Sequence, residues 1–242
     1  MRGFGALLVR GLIAGLFAGL LAGTFAYVVG EPKIDAAIAI EEAGHAHDHE
    51  DAPLVSRDGQ RAGLFLATSL YGVALGGLFA TGFTLLRRRF RTAGDSRVAL
   101  GLAAMAYVGI VLVPFFKYPP NPPAVGNPDT ITKRTVSYLL AIVLGLLAVW
   151  LAVWLARRVP GRPEWVPIAA GLAGFVTVVV AAYLVLPVIN EVPDTFPATL
   201  LWRFRLASLG TQTILWTLLG IGFAAALEPR RIRSTEPVPS VA

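Results

Sequence analysis

The chain has 242 residues, of which 55% are hydrophobic and 15% charged, with a mean hydropathy of +0.66. A water-soluble domain carries roughly a quarter charged residues, so the balance excludes an ordinary soluble fold. The net charge of +6 would suit a nucleic-acid partner, but the basic residues fall in short clusters beside apolar stretches, as Arg87-Arg88-Arg89-Phe90-Arg91 does, so no extended phosphate-tracking surface exists.

Six uncharged stretches run through residues 11–30, 62–86, 98–116, 135–156, 165–190 and 206–227. A helix crossing about 30 Å of hydrocarbon needs roughly 20 apolar residues at about 1.5 Å rise each. The pattern predicts an all-α, polytopic bundle in the lipid bilayer. It forms one membrane domain with spans at about 7–30, 62–86, 98–116, 135–156, 166–190 and 206–227.

The first stretch follows Arg2 and Arg10 but exceeds a signal-peptide core, so it reads as a retained helix. Gly11, Gly15, Gly19 and Gly23 recur every fourth residue, with Ala14, Ala18 and Ala22 beside them. Small residues at this spacing let helix backbones approach closely. They serve either packing within the chain or docking of another membrane subunit.

Residues 31–42 read as a short amphipathic helix with Pro32 in its first turn, followed by a polar, flexible loop over 43–61. That loop carries Gly44-His45-Ala46-His47-Asp48-His49-Glu50-Asp51. Alternation points all three imidazoles one way in an extended chain, and on a helix His45 and His49 share a face. Imidazole suits zinc, copper, cobalt and nickel, and Asp48 and Glu50 add carboxylate oxygens. With no Cys and only Met1 and Met105, the soft sulfur that copper(I) wants is lacking. The alternative is a disordered tract that touches metal incidentally.

The third and fifth stretches end alike, in Val113-Pro114-Phe115-Phe116-Lys117-Tyr118-Pro119-Pro120-Asn121-Pro122-Pro123-Ala124 and Leu186-Pro187-Val188-Ile189-Asn190-Glu191-Val192-Pro193-Asp194-Thr195-Phe196-Pro197-Ala198. Pro114 aligns with Pro187 and Pro120 with Pro193, which suggests two like helical hairpins, 98–156 and 166–227, of the kind found in transporters. Proline stiffness would give the two turns a fixed shape at a mouth. Near the second turn, Glu191, Asp194, Arg203 and Arg205 read either as ion pairs capping the last hairpin or, with Glu31, as a second cation site. Arg203 and Arg205 repel cations unless carboxylates neutralise them.

The N-terminus, the second and fourth connections and the tail (228–242) hold 13 of 21 Lys and Arg, against 8 in the other three connections. The positive-inside rule then places both termini in the cytoplasm and the 31–61 His/acid loop outside. Eleven of fifteen acidic residues and all three His fall on that outer side, which faces cations there. No carboxylate or His lies deep in a span to couple protons, and no phosphate-binding loop is present, so neither proton relay nor ATP hydrolysis is expected in this chain. No acid, base and metal converge at membrane depth, so no enzyme activity and no permanently bound cofactor are expected.

Glu31-Pro32 with the helix after it, the His tract, Lys117-Tyr118-Pro119-Pro120-Asn121-Pro122-Pro123-Ala124-Val125-Gly126, and Phe196-Pro197-Ala198 followed by Leu200-Leu201-Trp202-Arg203-Phe204-Arg205-Leu206-Ala207-Ser208-Leu209-Gly210 resemble the CbtA family of probable cobalt transporter subunits. The resemblance runs from the first helix to about Leu227. It implies a bacterial inner-membrane location, cobalt uptake for cobalamin, and a small partner, CbtB, with one helix and a His-rich end. The expectation is therefore a transporter subunit taking up Co²⁺ (or Ni²⁺ or Zn²⁺), captured by His45, His47, His49, Asp48 and Glu50, with Glu31, Glu191 and Asp194 as a second site. The competing expectation is a membrane scaffold that docks a small partner helix and transports nothing.

Overall fold

A helix in hydrocarbon must close its backbone hydrogen bonds within the protein, and proline, lacking an N–H, is where this fails. The computed structural model describes residues 3–44, 55–90, 94–123 and 125–228, and all their regular structure is helical. The elements are α1 (Phe4–Phe25), α2 (Glu31–Gly44), α3 (Arg57–Leu86), α4 (Asp95–Tyr107), α5 (Val113–Lys117), α6 (Ile131–Ala156), α7 (Trp165–Val185) and α8 (Ala198–Leu227). Wide π-helical turns at Ala26–Gly30 and Val108–Leu112 join α1 to α2 and α4 to α5. In each, an N–H reaches back five residues, Glu31 to Ala26 and Val113 to Val108, and a proline follows at once, Pro32 or Pro114. The widened turn makes room for the ring against the carbonyl one turn earlier.

Six helices are long and apolar enough to cross a membrane: Phe4–Ala43, Arg57–Arg89, Asp95–Lys117, Pro128–Ala156, Trp165–Val185 and Ala198–Leu227. The predicted fold class and number of spans hold, but several boundaries move. Residues 31–42 are helical as expected, within α2, but the π turn joins α2 to α1, so the first span runs on through Pro32 as one continuous helical run of 40 residues, about 60 Å long. The third helix starts at Arg57 inside the expected loop, and α8 starts at Ala198 rather than 206. Both carry arginines whose charges are met by distant side chains or carbonyls, so the charge-free stretch understates the helix. By contrast α7 stops at Val185, short of 190, because Pro187 cannot continue it.

The glycine repeat of α1 faces a matching repeat on α3. Gly11 lies on Gly76, Gly15 on Gly72 and Gly19 on Thr68, so close that a Cβ on Gly15 would run into the Gly72 carbonyl oxygen. Where lipid supplies no hydrophobic drive, this closeness gains dispersion contacts along the whole interface. The stripe is thus consumed within the chain, and docking of another subunit through it is excluded.

The main packing runs α3–α1–α8–α4, then through α5 and its π turn to α6, and from α6 to α7. The largest core lies where α1, α3, α4 and α8 meet, around Leu7, Phe79, Phe83, Leu219 and Phe223. The Phe223 ring stands edge-on to Phe79 and Phe83 at 5.2 Å each. Gly109 in the second π turn lies against Gly145 of α6, repeating the glycine contact on the other side of the bundle. The two expected hairpins are not equivalent: α6 packs on α5 and its π turn, whereas α7 packs on α6 and α8 packs on α1 and α4.

Ala37 of α2 clusters with Val125, Phe196 and Leu201, which brings α2 over both Pro-rich turns. The turns, α2 and the start of α3 therefore share one end of the bundle, here the turn end.

Gly15→Leu should destabilise the protein by roughly 1–3 kcal/mol or more, the usual cost of overpacking a tight contact. Gly82, whose Cβ position meets nothing within 4 Å, should accept Ala with little change. Thermal unfolding of the purified variants in detergent measures both.

Candidate functional site: a cleft beneath the proline turns

Pro187 cannot supply an N–H to the carbonyl of Tyr183 one turn earlier, and Lys117 takes that role, its Nζ donating to Tyr183 O at 2.8 Å. Tyr183 in turn donates its hydroxyl to the Val113 carbonyl, and Tyr118 donates to Pro187 O at 2.7 Å. These bonds tie the end of α5 to the end of α7 and lay the two proline turns side by side.

Beneath them lies a cleft of about 550 Å³, walled by α5, α6 and α8 and roofed by residues of both turns. Its apolar wall includes Val111, Phe115, Leu139 and Leu209, and its charged groups are Arg134, Glu191 and Arg205. The size suits a small ligand with a few placed polar groups. Of the mild polar residues in the spans, Tyr138, Ser208 and Gln212 line this cleft, and Gln212 Oε1 is buried with no hydrogen-bond partner. Others serve their own helices: Thr68, Ser69, Thr177 and Thr211 donate to carbonyls three or four residues back.

Glu191 is 14% exposed and fully engaged: it accepts from the Asn127 N–H at 2.9 Å and the Thr130 hydroxyl, and stands 3.5 Å from Arg134. The Thr130 and Asn127 bonds, helped by the Arg134 and Lys133 charges, hold its carboxyl below the ordinary value of 4.5. Arg205 donates Nε to the Pro120 carbonyl at 3.3 Å and Nη2 to Asn121 Oδ1 at 3.0 Å.

Glu31 lies 26 residues from its partner in sequence. It is 7% exposed and meets Arg57 at 2.7 Å and Arg61 at 3.6 Å, and Asp35 binds the same two arginines. A buried carboxylate needs such partners. Asp194 stays exposed on the second turn.

The structure therefore does not bring Glu31, Glu191 and Asp194 together, and among the described residues no group of three His, Asp or Glu is placed to hold a metal. The expected capping of the last hairpin also changes partner: Glu191 takes its cation from α6, and Arg205 reaches the first proline turn. His45, His47, Asp48, His49 and Glu50 lie outside the described residues. Arg134 and Gln212 enter the site only through the fold, since neither stands in a motif that marks it. A signal was present in an arginine preceding a long apolar run, but its target lies 57 positions onward.

A six-helix bundle with apolar outer faces, such as Leu184 and Val185 at more than 80% exposure, and with a polar cleft at its turn end is a multi-pass membrane protein. The chain matches the family described as "CbtA: Probable cobalt transporter subunit" over residues 4–228, and it belongs to that family. No curated protein and no solved structure matches it.

Glu191 supports folding while ionised. Its lowered pKa means this support is present above the ordinary 4.5 and is lost as pH falls below it through the folded value. The melting temperature of the wild type should exceed that of Glu191→Gln near neutral pH, and the gap should close in acid. Unfolding of both proteins across pH measures it.

Proposed function

We propose that the chain is the membrane-spanning subunit that takes up a divalent transition-metal cation, Co²⁺ ahead of Ni²⁺ or Zn²⁺. The observation that carries this reading is the polar cleft at the turn end, the end at which the chain also enters and leaves residues 45–54 with their three histidines. Membership of a family named for cobalt transport supplies the cargo. In this reading the His45, His47 and His49 tract, with Asp48 and Glu50, gathers the cation, and passage follows the cleft. Glu31 and Glu191, each held by arginine, brace the mouth rather than coordinate the metal, and Asp194 stays exposed beside it.

The charge distribution supports placing the turn end outside a bacterial cytoplasmic membrane and both termini inside. A small His-rich single-helix partner of the CbtB type would complete the transporter. The chain itself performs no catalysis and keeps no cofactor; the membrane potential, a gradient used without an internal relay, or another subunit supplies the energy.

A second reading, a non-transporting scaffold that holds a partner helix, is favoured by an apolar groove of about 370 Å³ between α1 and α8. It is lined by small residues, Ala14, Ala18 and Gly222, between Ile13, Phe17 and Ile221. Purified protein in liposomes separates the two, since a scaffold passes no Co²⁺.

Only neutral imidazole binds metal, so uptake at limiting Co²⁺ should weaken as pH falls through about 6.5. Replacing His45, His47 and His49 by Ala should lower that uptake and remove its pH dependence. Uptake of labelled Co²⁺ into cells is the measurement, and an unchanged rate removes the tract from the mechanism.

A further inference from the structure

The cleft carries two guanidiniums against one carboxylate, and the carboxylate is already spent. Glu191 uses both oxygens on Thr130, Asn127 and Arg134. Arg205 has only neutral acceptors, a carbonyl and an amide oxygen, and no carboxylate lies within ion-pair range of it among the described residues. Its third nitrogen, Nη1, makes no hydrogen bond there, and Arg134 Nε is buried without a partner.

A half-buried cation between apolar walls is costly unless a counter-charge meets it. Arginine is the residue that meets planar oxyanions in paired hydrogen bonds. Deeper in the cleft stand the neutral hydroxyls of Tyr138 and Ser208 and the Gln212 amide. Such a surface favours an anion over a bare divalent cation.

We propose that the cleft is a binding site for a small polycarboxylate, with Arg205 as its principal anchor and Arg134 as the second. Combined with the uptake reading above, on which this part rests, the metal crosses the mouth as an anionic carboxylate chelate rather than as a free ion. The cleft's volume of about 550 Å³ and the two guanidiniums at its rim favour a compact soluble anion over a lipid with its acyl chains.

The test is binding of metal-free citrate to the purified full-length protein by calorimetry, in non-ionic detergent and in phosphatidylcholine nanodiscs with and without phosphatidylglycerol. Saturable binding is expected in each, weakened at least tenfold by Arg205→Gln and less by Arg205→Lys. The neutral trimethyl ester of citrate should not bind the wild type, a comparison that stands even if Arg205→Gln loosens the proline turn it braces. Absence of saturable citrate binding, equal binding of the ester, or equal affinity in Arg205→Gln overturns the proposal. So does loss of citrate binding on adding phosphatidylglycerol, which would assign the guanidiniums to lipid phosphate. Because no metal is present, failure here leaves Co²⁺ uptake standing, and failed uptake leaves citrate binding standing.

Discussion

The backbones of α1 and α3 touch over more than two turns because Gly11, Gly15 and Gly19 meet Gly76, Gly72 and Thr68 with no side chain between them. In lipid nothing else pulls two apolar helices together, so this contact fixes the hairpin on which the remaining helices are laid. Because the first helix does not stop at the membrane surface, α2 and the start of α3 rise together beyond the apolar layer. There Arg57 and Arg61 close on Glu31 and Asp35. That ion-pair cluster holds α2 at the angle that lets Ala37 cover the proline turns.

The prolines act in three ways, two through the missing N–H and one through the ring. At Pro32 and Pro114 the missing N–H is absorbed by a π turn and the helix continues. At Pro187 it ends α7 and leaves a carbonyl that recruits Lys117. At Pro120 the ring's fixed φ stiffens the turn whose carbonyl Arg205 grips. The cleft is the space these constraints leave between α5, α6 and α8, and its charge follows from where the arginines are held rather than from any single motif.

Much of this was legible in the residues themselves. Six long charge-free runs identified six spans because only lipid suits so much apolar helix surface. The glycine spacing announced a close contact, but its partner, the Gly72 and Gly76 face of α3, emerged only from the fold. Boundaries were less legible, since a charge ends an apolar run on paper while in the fold Arg57 is neutralised 26 residues upstream by Glu31. The same holds for the cleft. Arg205 was visible as a charge that disfavours cations, but its acceptors lie 85 and 84 residues away, and no local pattern encodes them. Glu31 and Glu191 looked like ligands because carboxylates near a His tract suggest metal; their cationic partners, which give them another role, are remote in sequence.

All of this depends on both proline turns and the ends of α2 and α3 standing on one face of the membrane, with an even number of crossings between the termini. The chain contains no cysteine, so single cysteines can report that directly. With a membrane-impermeant maleimide on intact cells, Asp129→Cys and Asp194→Cys in the turns should label at once. Arg158→Cys and Arg162→Cys, in the connection from α6 to α7, should label only after permeabilisation. Turn positions that react only after lysis, or that report opposite sides from each other, would contradict the arrangement.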